Sequence, residues 1–260
     1  MTAEVVNNAT SAGKALAILD CFRSGERRIG LTELSRRTGI PKSSVHRLCE
    51  VLVESGYLCR TDDRSFSLGL RVFELGGAAT PRVSAHLDAS RYLQQLTLLT
   101  GETSHLGVLA DLDVVYIDKV ETPTSNRVPS RVGQRNPAYT TALGKALLAS
   151  SPEASQAVFA STPLPAFTRH TLTSADSLRK ELADVATAGV ALDREERALG
   201  VACVAAPVRN RGSVVASLSV TGPAARILGE RLPQIAHVVR ATAAEMSRSM
   251  CPGRPFAAAG

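Results

Sequence analysis

Five polar or basic side chains lie within six positions near the start of one predicted helix, at Lys42, Ser43, Ser44, His46 and Arg47. Side chains of these types donate hydrogen bonds to phosphate oxygens and to base edges, and the N-terminus of a helix attracts a phosphate by itself. The pattern therefore predicts contact with a nucleic acid. The alternative is an ordinary helical bundle with a solvated basic face.

The elements that would position this cluster form a helix-turn-helix. Apolar residues recur at helical spacing in segments 11–23, 31–38 and 41–55. Gly39 lies between the second and third segments, where the turn needs a left-handed backbone that glycine adopts easily. The residues that would hold these two helices at their crossing angle are Leu34, Ile40, Val45 and Leu48. A helix that reads DNA in the major groove requires this spacing.

A short hairpin follows the helix-turn-helix. Two β-like runs, 57–60 and 65–68, flank a polar turn, which is a pattern typical of a hairpin. Arg60 and Arg64 lie on this hairpin, which would reach over an adjacent groove as a wing. Arg36, on the second helix, is a weaker candidate for contact with a backbone phosphate, since a solvated helix face would explain it equally well.

A second group of residues, in the C-terminal half, has the chemistry of a small-molecule pocket. Gly144 lies at the start of a predicted helix, where free backbone N–H groups suit a carboxylate. Asp193 ends a predicted strand, and Ser217 and Ser219 share one face of another strand, because strand side chains alternate. Small hydroxyls on an apolar wall orient the polar groups of a ligand. The other predicted pocket residues are Leu106, Ala142, Leu143 and Cys203. The alternatives are serine hydroxyls bonded to nearby backbone and a plain core cysteine.

The sequence gives little support for catalysis. The run GKAL is not a phosphate-binding loop, since Tyr139 stands where the first glycine belongs and Ala146 follows the lysine where Ser or Thr is needed. A thiol and imidazole pair of Cys203 with His105 or His170 lacks any local catalytic motif. A zinc site lacks a closely spaced histidine pair. The groups that such a site would use are His105, Asp193, Glu195, Glu196 and Cys203. We therefore expect no enzyme, no bound metal and no cofactor.

Composition sets outer limits on function. The 260 residues include 30 Lys and Arg against 24 Asp and Glu, and the resulting net charge of +6 permits a nucleic-acid partner. Trp is absent and aromatic residues make up 4%, so stacking of single-stranded bases is not expected. No apolar run approaches the roughly 20 residues that span a bilayer, and the first ten residues lack the apolar core of a secretory signal. The five cysteines show no C-x-x-C spacing and predict no disulfide framework. We expect a cytoplasmic protein with no membrane partner.

The pattern of elements changes after the hairpin. Helices with one hairpin give way to strands with interspersed helices, which indicates an α+β fold rather than a doubly wound sheet. The prediction has five parts: a disordered leader at 1–10, a winged helix-turn-helix domain at 11–75, a helical linker at 76–99, an effector-binding domain at 100–250 and a tail at 251–260.

Several separated runs resemble the IclR family of bacterial transcriptional regulators. The N-terminal runs are LTELSRRTGIPKSSVHRLCEVLVESGYL and SLGLRVFELG. The later ones are HLGVL, VVYIDKVE, RVGQRNPAYTTALGKALLA, GVALDREERALGVACVAAPV and GSVVASLSVTGP. The resemblance covers the chain from about Ser11 to Met246, with its motifs in the family's order.

The resemblance implies a winged helix-turn-helix, a helical linker and a GAF-like α+β domain that binds an effector. It implies that an effector pocket for small organic acids is lined by Ala142, Leu143, Asp193, Cys203, Ser217 and Ser219. Some members of the family hold a metal. The resemblance further implies homodimers that often pair into tetramers.

The expected function is therefore a ligand-responsive, DNA-binding repressor of an operon for catabolism of a small carbon source. The expected partners are a near-palindromic double-stranded DNA operator, a small organic acid and further copies of the chain, as a dimer or a dimer of dimers. Candidate surfaces for self-association are the 11–22 helix and the 82–99 arm. The alternative function is a small-molecule sensor or scaffold with a degenerate DNA head.

Overall fold

The computed structural model describes residues 10–79, 89–122 and 130–250. The predicted tail, most of the predicted leader and the middle of the predicted linker lie outside the described residues. The chain divides into two compact units, Met1–Pro81 and Arg82–Gly260, and each is considered by itself.

The N-terminal unit contains helices and a small sheet. Its helices are α1 (Ser11–Asp20), α2 (Leu31–Thr38), α3 (Lys42–Glu54) and α4 (Leu70–Ala79). Its strands are β1 (Ile29–Gly30), β2 (Leu58–Arg60) and β3 (Ser65–Leu68), which pair antiparallel in the order β1-β3-β2. Strands β2 and β3 confirm the predicted hairpin.

Local geometry explains the turn between α2 and α3. Gly39 has a φ of +69°, and its N–H donates to the Ser35 carbonyl at 3.0 Å. The Ser35 hydroxyl donates to the Ile40 carbonyl at 2.7 Å. The four predicted apolar contacts are all buried, in one cluster with Ile18, Phe22, Leu58 and Phe66. The predicted helix-turn-helix is therefore confirmed, including the left-handed backbone of Gly39 in its turn.

The C-terminal unit is built on a six-stranded antiparallel sheet. Its strands are β4 (Thr103–Ala110), β5 (Asp113–Val120), β6 (Arg135–Pro137), β7 (Ala191–Arg194), β8 (Val201–Asn210) and β9 (Ser213–Pro223), in the order β6-β5-β4-β9-β8-β7. Its helices are α5 (Ala89–Thr100), α6 (Ala142–Leu148), α7 (Pro152–Ala160), α8 (Ala175–Ala188), α9 (Ala224–Ile227) and α10 (Leu232–Ser249). The α+β prediction is confirmed. None of the described helices has the length and apolar character needed to cross a membrane.

The two faces of this sheet differ in character. One face is apolar and packs against α5 and α10, with Leu106, Val204 and Leu218 at less than 2% exposure. Since α5 contributes Tyr92 and Leu96 to this core, the C-terminal part of the predicted linker is a core element of the C-terminal unit. The other face carries α6 and is partly polar.

Helix α6 lies unusually close to the backbone that precedes it. The Thr141 side chain caps the helix by accepting from the Gly144 N–H at 3.0 Å. A Cβ atom on Gly144 would stand 2.1 Å from the Ala138 carbonyl oxygen. Glycine is therefore required here by close approach of two backbone segments.

We predict that Gly144→Ala destabilises the protein by at least about 3 kcal/mol, since neither backbone segment can yield cheaply. Urea denaturation followed by circular dichroism measures this. Gly77→Ala is the control, because that helical glycine has open space around it and should gain roughly 0.5–1 kcal/mol. Unchanged stability of Gly144→Ala would contradict the close approach.

Candidate functional site

The start of α3 presents the predicted polar cluster to solvent. Lys42, Ser43, His46 and Arg47 are exposed, and Ser44 is half-buried. The buried side chains of the same helix, including Val45 and Leu48, lie on its opposite face. Among the described residues, neither Lys42 nor Arg47 has an acidic partner within ion-pair distance. Both cations are therefore available to an external anion.

The hairpin is tied to α3 by an ion pair. Arg60, on β2, donates to the carboxylate of Glu50, and its guanidinium lies 5.7 Å from the Phe66 ring centroid. Arg64 is exposed at the tip of the turn, where its φ is +60°. These contacts fix the hairpin against the helix that carries the polar cluster, as a wing requires.

Arg36 is engaged within its own helix. Its Nε and Nη2 donate to the two carboxylate oxygens of Glu33 at 2.7 and 2.6 Å. Arg37 donates to Glu33 and also to Glu26. Hydrogen bonds from Arg36 and Arg37 lower the pKa of Glu33 to about 2. The predicted phosphate contact of Arg36 would therefore compete with this pair.

A cavity of about 170 Å³ opens on the partly polar face of the C-terminal sheet. Asp193 and Cys203 line it, as predicted from the sequence, and so does Thr141 at the cap of α6. The other lining residues are His105, Tyr116, Ser130, Gln134, Asn136, Arg197, Ala198, Val201 and Thr221. Its polar groups thus come from all six strands of the sheet, from the segment before β6, from the cap of α6 and from the segment between β7 and β8.

Other predicted pocket residues lie elsewhere. Leu106 packs in the apolar core of the opposite face, because its neighbour His105 faces the cavity and strand side chains alternate. Ala142, Leu143 and Gly144 are enclosed within the packing of α6 and do not line the cavity. None of these four residues lines this cavity, and their contact with an effector stays a prediction.

The two serines differ from each other. Ser217 donates to the Leu143 carbonyl at 3.0 Å, which is the alternative that the sequence left open for it. Ser219 is 1% exposed, and its hydroxyl has no hydrogen-bond partner among the described residues. Ser219 pairs with His105 in the sheet register and stands two positions before Thr221, and both of these residues line the cavity. Its contact with a ligand stays a prediction.

A chain of hydrogen bonds crosses the cavity wall. The Thr221 hydroxyl donates to Cys203 Sγ at 3.1 Å and lies 3.3 Å from His105 Nδ1. His105 Nε2 lies 2.7 Å from the Ser130 hydroxyl, and Cys203 Sγ lies 3.8 Å from Asp193 Oδ2. Since Thr221 has one proton to donate, His105 Nδ1 must donate to Thr221 and Nε2 must accept from Ser130.

His105 and Cys203 are held in uncharged forms. Burial, with a contribution from Lys119, lowers the pKa of His105 to about 3, so the imidazole is neutral. Burial raises the pKa of the Cys203 thiol well above its ordinary value. A thiolate nucleophile is therefore disfavoured here. No three His, Cys, Asp or Glu residues of the described segments stand close enough together to hold a metal ion.

A buried ion-pair cluster lies behind the wall. Lys145, on α6, is fully buried and donates to Glu181 at 2.8 Å and to Glu196 at 2.7 Å. The Glu196 N–H donates to Asp193 Oδ1 at 2.7 Å. The cluster therefore holds Asp193 in place against the cavity.

Sequence reasoning missed several lining residues. Arg197, Tyr116, Asn136 and Gln134 were not singled out, and His105 was weighed only as a base or metal ligand. Arg197 lies four positions after Asp193, at the end of the charged run DREER. Its place in that run was the one sequence feature that could have marked it as a pocket residue.

We predict a pH signature for Asp193. Burial raises its pKa to about 7 from an ordinary value of 3.8, against the lowering effect of the Glu196 N–H. Because folding favours the protonated form, this contribution to stability is full below about pH 4 and is lost as pH rises through about 7. Its total is on the order of 4 kcal/mol.

Asp193→Asn should remove this pH dependence, since the amide oxygen still accepts from Glu196. The measurement is urea denaturation of both proteins from pH 5 to pH 8, and the parent's stability relative to the variant should fall with pH. Parallel profiles would contradict the raised pKa.

Comparisons with known proteins agree with this architecture. Residues 11–62 match the family profile "IclR helix-turn-helix domain", and residues 79–248 match "Bacterial transcriptional regulator IclR C-terminal". The chain is 36% identical over 248 residues to the HTH-type transcriptional regulator KdgR of Escherichia coli K12, covering 94% of each chain. It is 32% identical over 256 residues to the glycerol operon regulatory protein of Streptomyces coelicolor, covering 96% of this chain and 100% of that one.

A solved structure supports the fold. The crystal structure of an IclR homolog from Microbacterium hydrocarbonoxydans, complexed with 4-hydroxybenzoate, superposes with a TM-score of 0.84 at 24% identity. The match covers 93% of this chain and 99% of that one. The two profile matches, which span both units, and the 36% identity to KdgR identify the chain as a DNA-binding transcriptional regulator that belongs to the IclR family.

Proposed function

We propose that this regulator is a repressor controlled by a small organic acid that binds in the cavity of the C-terminal unit. The observation that carries this proposal is a cavity walled by hydrogen-bonding groups, in the unit that does not carry the helix-turn-helix. The regulated genes would serve catabolism of a small carbon source, a setting supported by the relative named for the glycerol operon. The regulator would act in the cytoplasm, where bacterial DNA lies.

The DNA contact proposed is insertion of α3 into the major groove, with the β2–β3 hairpin as a wing. Support comes from the exposed cations at the start of α3 and from the Arg60–Glu50 pair that holds the wing. The proposed contacts are Lys42, Ser43, Ser44, His46, Arg47, Arg60 and Arg64, with Arg36 as a weaker member.

Self-association is part of the proposal. One winged head with few cations binds DNA weakly, whereas two linked heads gain affinity through effective concentration. The operator would then be a near-palindrome with half-sites about one helical turn, or a multiple of it, apart. Exposed apolar side chains on α1 and α4 suit a dimer contact: Leu16, Leu70 and Phe73.

We predict that Lys42→Ala and Arg47→Ala weaken operator binding without changing the fold, because each removes a cation that has no acidic partner among the described residues. A base contact contributes about 1–3 kcal/mol and its loss relaxes sequence preference, whereas a lost phosphate contact weakens all sequences alike. Fluorescence anisotropy with the gene's own upstream DNA and an unrelated duplex measures both effects.

Arg36→Ala is the matched control for these variants. Its guanidinium is already paired with Glu33, so we expect a smaller loss of DNA affinity. Unchanged affinity in both the Lys42 and the Arg47 variant would remove α3 from the recognition role. Failure of the parent protein to bind its upstream DNA would favour a sensor with a degenerate head.

The size of the cavity supports a small ligand. A cavity of roughly 150 Å³ accommodates benzene in an engineered protein, and this one measures about 170 Å³. Neutral donors and acceptors line it, including Tyr116, Asn136 and Gln134. A hydroxyl of the ligand could donate to Asp193 when that carboxyl is ionised, which favours hydroxy acids among the small acids.

We predict that Ser219→Ala raises the dissociation constant of a small acid found in a thermal-shift screen by about ten- to a hundred-fold, the effect of losing a hydrogen bond to a charged group. The stability of the protein alone should stay unchanged or rise, since the hydroxyl has no partner among the described residues. Calorimetry measures the affinity and urea denaturation the stability.

Ser217→Ala is the control for this variant. It should destabilise the protein, because its hydroxyl bonds to Leu143, with a smaller effect on the affinity for the acid. Equal acid affinity in Ser219→Ala and the parent would place the ligand away from Ser219.

A further inference from the structure

We propose that Arg197 binds the carboxylate of the effector and selects monocarboxylates for this cavity. The inference rests on the proposed function, and it moves the anion site from the start of α6 to the segment between β7 and β8. It assigns a role to a side chain that lines the cavity and that the sequence analysis left aside.

Two contacts hold the Arg197 side chain in position. Its Nε donates to Asn136 Oδ1 at 3.1 Å, and its guanidinium carbon lies 4.3 Å from the centroid of the Phe167 ring. Asn136 is itself oriented, since its Nδ2 donates to the Tyr116 hydroxyl at 3.1 Å. An amide and an aromatic ring therefore fix the direction of the guanidinium without neutralising its charge.

The charge of Arg197 has no acidic partner among the described residues. Other arginines of the C-terminal unit do have one: Arg135 with Asp111 and Asp113, Arg179 with Asp176, Arg194 with Glu181, and Arg226 with Glu102. A guanidinium has five N–H donors, and the Asn136 contact uses one. The two terminal nitrogens of Arg197 thus offer the paired donors that bind a carboxylate at two points.

Other cations near the cavity are already committed. Lys145 is fully buried between two glutamates, and Lys119 donates to the Ser130 carbonyl and pairs with Glu121. The Gly144 N–H at the start of α6 is taken by the Thr141 side chain. Arg197 is thus the cation that lines the cavity within the described segments.

The remaining lining restricts the ligand to one negative charge. Asp193 is the acidic side chain among the described lining residues, and it accepts from the Glu196 N–H while facing Cys203 Sγ. A second carboxylate on the ligand would meet no second cation among the described lining residues. A dicarboxylate would therefore leave one charge unpaired in a partly enclosed site, which is unfavourable.

The test compares acids with their primary amides. Calorimetry measures the binding of three acids and of their amides to the full-length parent, to Arg197→Gln and to Arg197→Lys. The pairs are benzoate with benzamide, lactate with lactamide, and butyrate with butyramide. We expect the parent to prefer at least one acid over its amide by ten-fold or more. Arg197→Gln should lower the affinity for that acid by about ten- to a hundred-fold and leave the amide unchanged, and Arg197→Lys should restore part of the loss.

Arg194→Gln is the matched control, since it removes a positive charge at the end of β7, close to Arg197 in the chain, from a residue that does not line the cavity. It should keep the acid preference. Circular dichroism checks that all variants fold.

The outcomes separate this inference from the proposed function. Equal acid affinity in Arg197→Gln and the parent overturns the role of Arg197 and leaves the ligand response standing. If the parent binds the amides as tightly as the acids, only the proposed selection of anions is overturned. A parent that binds neither acids nor amides at millimolar concentration overturns both. Stronger binding of succinate than of butyrate would overturn the preference for monocarboxylates.

Discussion

The buried ammonium of Lys145 is the interaction on which the geometry of the C-terminal unit depends. Taking such a charge out of water is unfavourable by several kcal/mol unless it is paired and hydrogen-bonded. Here two carboxylates, from Glu181 on α8 and Glu196 beyond β7, meet it within 2.8 Å. Removing either the cation or the carboxylates would leave buried charge uncompensated. The ion pairs therefore hold α6, α8 and the turn after β7 together.

Contacts with that cluster hold the turn after β7 in position. Glu196 donates its N–H to Asp193, and its carbonyl accepts from the Thr171 hydroxyl at 2.7 Å. The Glu195 carboxylate accepts from the Gly200 N–H at 2.6 Å. Asp193 and Arg197 thus both line the cavity from one ordered segment, and Asp193 also accepts from the backbone of that segment. Within this short charged run, Glu196 pairs with Lys145, the Glu195 carboxylate binds the Gly200 N–H, and Arg197 lines the cavity.

The DNA-contact unit was predictable from the sequence because its determinants are local. Gly39, the apolar residues around it and the polar start of α3 all fall between Leu34 and Leu48, within about four helical turns. The cavity has no such local signature. Asn136 and Arg197 are 61 positions apart in the chain. Strands β6 and β7 are the two edge strands of the sheet, so this contact depends on tertiary packing and not on the pairing of neighbouring strands.

There are physical reasons why some predicted pocket residues do not line this cavity. Leu106 was placed in the pocket because it is apolar, but whether a strand residue faces a cavity or a core depends on register, which one sequence does not reveal. The start of α6 has the pattern of an anion site, yet the close approach of Gly144 to Ala138 encloses it. Ser217 and Ser219 share a face as expected, and only the surrounding structure distinguishes a hydroxyl bonded to Leu143 from one that has no partner among the described residues.

Two buried groups next in the chain or sheet to lining residues have unmet hydrogen-bonding capacity. Ser219 Oγ and Glu196 Oε2 are buried without partners among the described residues, and leaving such a group unsatisfied costs about 1–3 kcal/mol. A ligand can shift the balance between two arrangements of the protein only by binding them unequally. If the ligand holds Arg197, that inequality has to arise where Arg197 is held, in the turn after β7. Lys145 joins this turn to α6 through its ion pair with Glu196. A ligand-dependent movement of the turn therefore has to move α6 as well or break a buried ion pair. The two arrangements of the protein would then differ in the position of α6.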